Sequence, residues 1–104
     1  MKKYKQAIKE TLTKRDLLEQ LAEESAELAK AAIKMIRASG YTPNVTPTSE
    51  ISAYRNLEEE INDVLMVIEA LGFNLEIRTA FAENSPKWER WCRRITGEEY
   101  TADE

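Results

Sequence analysis

Residues 14–38 read KRDLLEQLAEESAELAKAAIKMIRA, twenty-five residues with neither proline nor glycine. Leucine, alanine, glutamate and lysine dominate, and these lose little freedom in a helix. At about 100° per residue, Leu17, Leu21, Leu28, Ala32, Met35 and Ile36 fall on one face. Thr13, with Asp16 three residues later, has the form of a capping box, and Gly40 is a plausible stop. The spacing therefore predicts one long amphipathic helix from Lys14 to about Ala38.

Working outward, the flanking segments read the same way. Tyr4, Ile8 and Leu12 share a face of a short basic helix over 3–12. Residues 39–48 hold Gly40, Pro43 and Pro47 and read as a loop. Thr48 or Ser49 can cap a third helix running to about Leu71, stopped by Gly72. Its apolar face carries Leu57, Ile61, Val64, Leu65, Ile68 and Leu71. Asn74 can cap a short helix to about Glu83. Ser85-Pro86 then starts a last helix with Trp88, Trp91, Cys92 and Ile95 on one face, ending near Gly97. Residues 98–104 read as a frayed acidic tail. The expectation is an all-α bundle of four to five helices, one domain over 1–104, completed by oligomerisation because so short a chain buries little surface alone.

Composition narrows the chemistry. With 42% hydrophobic and 33% charged residues of mixed sign, the 104-residue chain has the makings of a core and the solubility of a globular protein. A net charge of −4 argues against non-specific nucleic-acid binding. No apolar run approaches the ~20 residues that cross a bilayer, and no signal-peptide core follows the basic N-terminus. With Cys92 the single cysteine, no intrachain disulfide can form, and the expected location is cytoplasmic. The chain has no histidine. That removes a Ser-His-Asp triad and a histidine base, and leaves oxygen ligands for any metal, which suit magnesium, manganese or calcium.

Among 19 acidic residues, the informative ones break into apolar stripes. Glu24 borders the stripe of the second helix, and Glu27 lies just outside its edge. On the third helix Glu60 falls between Val67 and Leu71 in projection, and Asp63 sits at the rim. Glu58 and Glu59 project away as surface charges. Each helix thus offers two carboxylates spaced i and i+3 at the margin of the core. Ionised carboxylates converging there would repel one another, which a divalent cation relieves. The bland alternative pairs each with Lys or Arg, yet none lies within one turn of Glu24 or Glu60 along its own helix. Spacing alone leaves the two readings about even.

Two stretches carry a resemblance. Leu21-Ala22-Glu23-Glu24-Ser25-Ala26-Glu27-Leu28-Ala29 resembles the Glu-x-x-Glu motif of the MazG-like, all-α nucleoside triphosphate pyrophosphatase family. Leu57-Glu58-Glu59-Glu60-Ile61-Asn62-Asp63-Val64-Leu65 resembles its Glu-x-x-Asp motif. The match runs over roughly 14–72, with a gap between the motifs on the long side for the family. The resemblance implies the all-α pyrophosphatase fold, a homodimer or homotetramer, and magnesium (or manganese) held by Glu24, Glu27, Glu60 and Asp63. It implies hydrolysis of a (deoxy)nucleoside triphosphate between its α and β phosphates. Metal ions suit that chemistry because they neutralise triphosphate charge and acidify a bound water.

Glu23 or Glu24 could take a proton from the attacking water, with Gln20 able to orient it. Lys34, two turns after Glu27 on the same ridge, is the first choice for the outer phosphates. Lys87 and Arg90 follow, Lys87-x-x-Arg90-Trp91 resembling a basic segment of phage and bacterial members. Solvated lysines are an equally good account of each. Tyr54, by its place on the apolar stripe, and the Trp88-Trp91-Ile95 face read as core or subunit interface before base platform. The rival from another class is a non-enzymatic helical interaction or regulatory module, which would need no magnesium and would tolerate Glu24→Gln.

Overall fold

The computed structural model describes residues 1–40 and 49–97; the predicted loop around Pro43 and Pro47 and the tail from 98 lie outside these. The described residues form five helices and no strand: α1 (Lys2–Thr11), α2 (Lys14–Ala38), α3 (Glu50–Ala70), α4 (Leu75–Glu83) and α5 (Lys87–Thr96). The all-α expectation holds, with boundaries within two residues of the sequence reading. The chain divides into two compact units, residues 1–73 and residues 74 onward.

The capping chemistry is where the sequence puts it. The Thr13 hydroxyl accepts from the Asp16 backbone N–H at 3.1 Å, and the Asp16 carboxylate accepts from the Thr13 N–H at 2.9 Å. These bonds hold the Asp16 carboxyl below the ordinary carboxylate value. Ser49, rather than Thr48, caps α3 by accepting from the Ser52 N–H. Asn74 caps α4 through the Ile77 N–H at 3.0 Å. Gly97 ends α5 at φ 68, the left-handed conformation that a residue without a side chain adopts freely.

In the first unit α2 packs along α3, and α1 touches α3, with Lys5 Nζ donating to Glu69 Oε1 at 2.9 Å. The buried side chains are few: Leu17 and Ala31 on α2, Ala53 and Val67 on α3. On each helix the buried pair lies fourteen residues apart, with a glutamate midway: Leu17, Glu24, Ala31, and Ala53, Glu60, Val67. Glu24 and Glu60 meet. An antiparallel hairpin crossing there sets Leu17 opposite Val67 and Ala31 opposite Ala53, so one register accounts for all four buried residues.

The buried stripe is narrower than the periodicity suggests. Ile36, Ile61 and Leu65, grouped by the sequence pattern with the core face, are 46%, 41% and 40% exposed, and Tyr54 is 54% exposed. Ala32 is exposed as well. Two helices in contact shield only the sector each turns toward the other. The apolar stripe of each helix extends beyond that sector.

The second unit is built from α4 and α5. Trp88 and Trp91 stack with ring centroids 6.2 Å apart, and Trp88 Nε1 donates to the Ala82 carbonyl at 2.8 Å. That bond ties the start of α5 to the end of α4. Arg78 lies over the Phe81 ring at 4.8 Å. No helix among the described residues is long and apolar enough to cross a membrane.

Candidate metal centre

One carboxylate oxygen each from Glu24, Glu60 and Asp63 lies within 4.8 Å of the others. The helical register produces this cluster. Glu24 stands midway between the buried Leu17 and Ala31 of α2, and Glu60 midway between the buried Ala53 and Val67 of α3. Asp63, one turn after Glu60, reaches the same point from α3. Alanines at 31 and 53, exposed by only 1% and 2%, let the two backbones approach closely enough for the carboxylates to meet.

All three residues are half-buried. Among the described residues, the ion pairs formed are Lys5–Glu69, Arg15–Glu19, Lys30–Glu27 and Arg93–Glu89, so no Lys or Arg neutralises the cluster. Among the described residues, the one side-chain hydrogen bond to it is from Gln20 Nε2, which donates to Glu24 Oε1 at 2.8 Å. Gln20 thereby fixes one carboxylate of the set, a positional role that the i, i+4 spacing on α2 makes readable in hindsight. Partial desolvation raises the Glu60 carboxyl above its ordinary value, and the charges of Asp63, Glu24, Glu27 and Glu59 add to the rise.

Glu27, expected from its motif to be a fourth ligand, stands outside the three-residue cluster. Its carboxylate is exposed and accepts from Lys30 Nζ at 3.3 Å, although its charge still reaches Glu60. Glu23 and Lys34 are exposed on α2. Lys87 and Arg90 are exposed on α5, in the second unit. Periodicity alone located the carboxylate pairs but did not single out Glu24 and Glu60 as the central layer. The seven-residue spacing from Leu17 to Glu24 to Ala31, and from Ala53 to Glu60 to Val67, is the signal that would have done so.

Three hard, anionic oxygens within 4.8 Å of one another could hold magnesium, manganese or calcium, and are a poor match for metals that favour sulfur or imidazole. No family model matches the chain, and neither a curated protein nor a solved structure does so.

Proposed function

We propose that the chain is a cytoplasmic, magnesium-dependent nucleoside triphosphate pyrophosphohydrolase that works as a homo-oligomer. The observation that carries this reading is the meeting of Glu24, Glu60 and Asp63 within 4.8 Å, uncompensated by any cation among the described residues. It is supported by the two ordered motifs in which those residues stand, which resemble the MazG-like family. Three carboxylates gathered in the middle of a helical seam work against folding unless a cation is to be held there.

Glu24, Glu60 and Asp63 would hold the ion, and Gln20 keeps the Glu24 carboxylate turned toward it. A divalent cation supplies charge neutralisation for a triphosphate and makes water more acidic. Glu27 lies near enough to act electrostatically and becomes a further ligand if it releases Lys30. Glu23, exposed beside Glu24 in sequence, and Glu24 are the groups available to take a proton from water attacking phosphorus. Lys34 lies on the ridge of Glu27 and offers a cation for the outer phosphates. The reaction joins water to one side of the α–β phosphoanhydride and yields a nucleoside monophosphate and pyrophosphate.

The test is pyrophosphate release from a panel of ribo- and deoxynucleoside triphosphates, with magnesium and with a chelator. Magnesium-dependent release from one or more is expected. Absence of release from every substrate by folded protein would leave the interaction-module reading in its place.

A further inference from the structure

The last helix, α5, differs from the others in the charge it carries. Its ten residues hold Lys87, Arg90, Arg93 and Arg94 against the single acid Glu89, in a chain of net charge −4. At about 100° per residue, Trp88, Trp91, Cys92 and Ile95 share one sector about 100° wide. Lys87 and Arg94 border that sector, Arg90 and Arg93 lie behind them, and Glu89 is engaged by Arg93 at 3.0 Å. Trp88, Trp91 and Ile95 are 58%, 48% and 70% exposed. The helix is already built: the Ser85 hydroxyl accepts from the Lys87 N–H at 3.2 Å, Trp88 is bonded to α4, and Gly97 closes the far end. Glu98 and Glu99 follow in sequence, past that stop.

Large apolar side chains beside a cluster of cations fit a partner that is negative at its surface and apolar beneath it. We propose that α5 lies flat on a bilayer containing anionic phospholipid, with its Trp88–Trp91–Ile95 face at the boundary of headgroups and acyl chains. At 1.5 Å per residue the helix is about 15 Å long, too short to cross a ~30 Å hydrocarbon core. A helix with an aromatic face and a basic flank lies in the plane of the interface instead. Tryptophan favours that depth. Trp88 Nε1 already donates to the Ala82 carbonyl at 2.8 Å, so this indole leaves water without orphaning its donor. Lys87 and Arg94, at the edge of the sector, can bury their stems and keep their charges among the lipid phosphates. A nucleic acid would meet the same cations. The two indoles, however, stack on each other with centroids 6.2 Å apart, which uses ring face that a base would need. Neither the carboxylate cluster nor a metal is required for this surface to act.

Trp88 and Trp91 are the only tryptophans, so the native emission of the full chain reports on α5 directly. The experiment titrates that emission with vesicles of phosphatidylcholine alone and of phosphatidylcholine mixed equally with phosphatidylglycerol, and checks binding by flotation. The expected result is a blue shift and co-flotation with the mixed vesicles, none with phosphatidylcholine alone, and release by added salt. Arg94→Gln should weaken partition about fivefold, and Arg90→Gln with Arg94→Gln about 25-fold. Ile95→Asp should abolish the shift; helix content by circular dichroism should match wild type in all three. Absence of shift and flotation with mixed vesicles overturns the proposal, as does equal binding to both lipids or binding that the paired arginine variant leaves unchanged. Emission already blue in buffer and unmoved by lipid shows the face otherwise covered, and overturns it too. So does a shift with a single-stranded oligonucleotide and none with vesicles, which gives the face to nucleic acid.

Discussion

Replacing Ala31 with leucine tests whether close approach of α2 and α3 is what assembles the carboxylate cluster. Ala31 is 1% exposed and lies opposite Ala53, at 2%, so the layer has no space for a larger side chain. Leucine is nearly as good a helix former as alanine, so the helix itself is not penalised. The cost is overpacking, about 1–3 kcal/mol. For a chain of this size each kcal/mol lowers the melting temperature by about 4–8 °C, so the loss should lie between about 4 and 24 °C. The same displacement reaches Glu24, two turns away. Magnesium demands oxygens at about 2.0–2.1 Å in near-octahedral array, so a seam prised apart should hold it less well. Thermal unfolding, followed by circular dichroism with chelator and with millimolar magnesium, reads both effects. Ala26→Leu, on the exposed side of α2, serves as the control and should stay within about 0.5 kcal/mol of wild type. An Ala31→Leu protein that melts with wild type and gains as much from magnesium would refute the reasoning.

Other outcomes follow from the same geometry. Glu24→Ala and Glu60→Ala should abolish turnover with helix content near normal; near-wild-type turnover in either would remove that residue from the required set. In chelator, the raised Glu60 carboxyl works against the fold as pH increases. A group whose folded-state value lies above its unfolded one binds the proton more tightly when folded. Stability is then greatest in acid and lost as pH rises from about 4.5, the ordinary value, through the raised one. Glu60→Gln should abolish this decline and melt above wild type at neutral pH, which melts over a pH series would show. Asp16 carries the opposite sign: its lowered value gives stability present at neutral pH and lost in acid. Thr13→Ala should cost about 1 kcal/mol of cap energy and flatten that acid limb in denaturant titrations.

Much of the fold was legible because helix signals are local. Thr13 with Asp16, Ser49, Asn74 and Gly97 mark their helix ends through hydrogen bonds to neighbours a few residues away, and long runs of strong helix formers fill the intervals. Where the core lies was less legible. Stripe width is a tertiary property, set by how many neighbours a helix has. Periodicity therefore grouped Ile36, Ile61 and Leu65 with the core, although in the hairpin they face away. The candidate site sits between these cases. Glu24, Glu60 and Asp63 were readable as carboxylates on apolar margins. That these three meet and that Glu27 turns to Lys30 depends on the α2–α3 register, which no single helix encodes. The bond from Gln20 to Glu24, in contrast, is a one-turn contact and was within reach of the sequence.

The most direct test of the central claim follows one nucleoside triphosphate by phosphorus NMR, with wild type and Glu60→Gln side by side in magnesium. The account predicts that wild type produces monophosphate and pyrophosphate in equal amounts, and that Glu60→Gln, still helical, produces neither. Diphosphate with inorganic phosphate, an active Glu60→Gln protein, or unchanged triphosphate in both samples would contradict it.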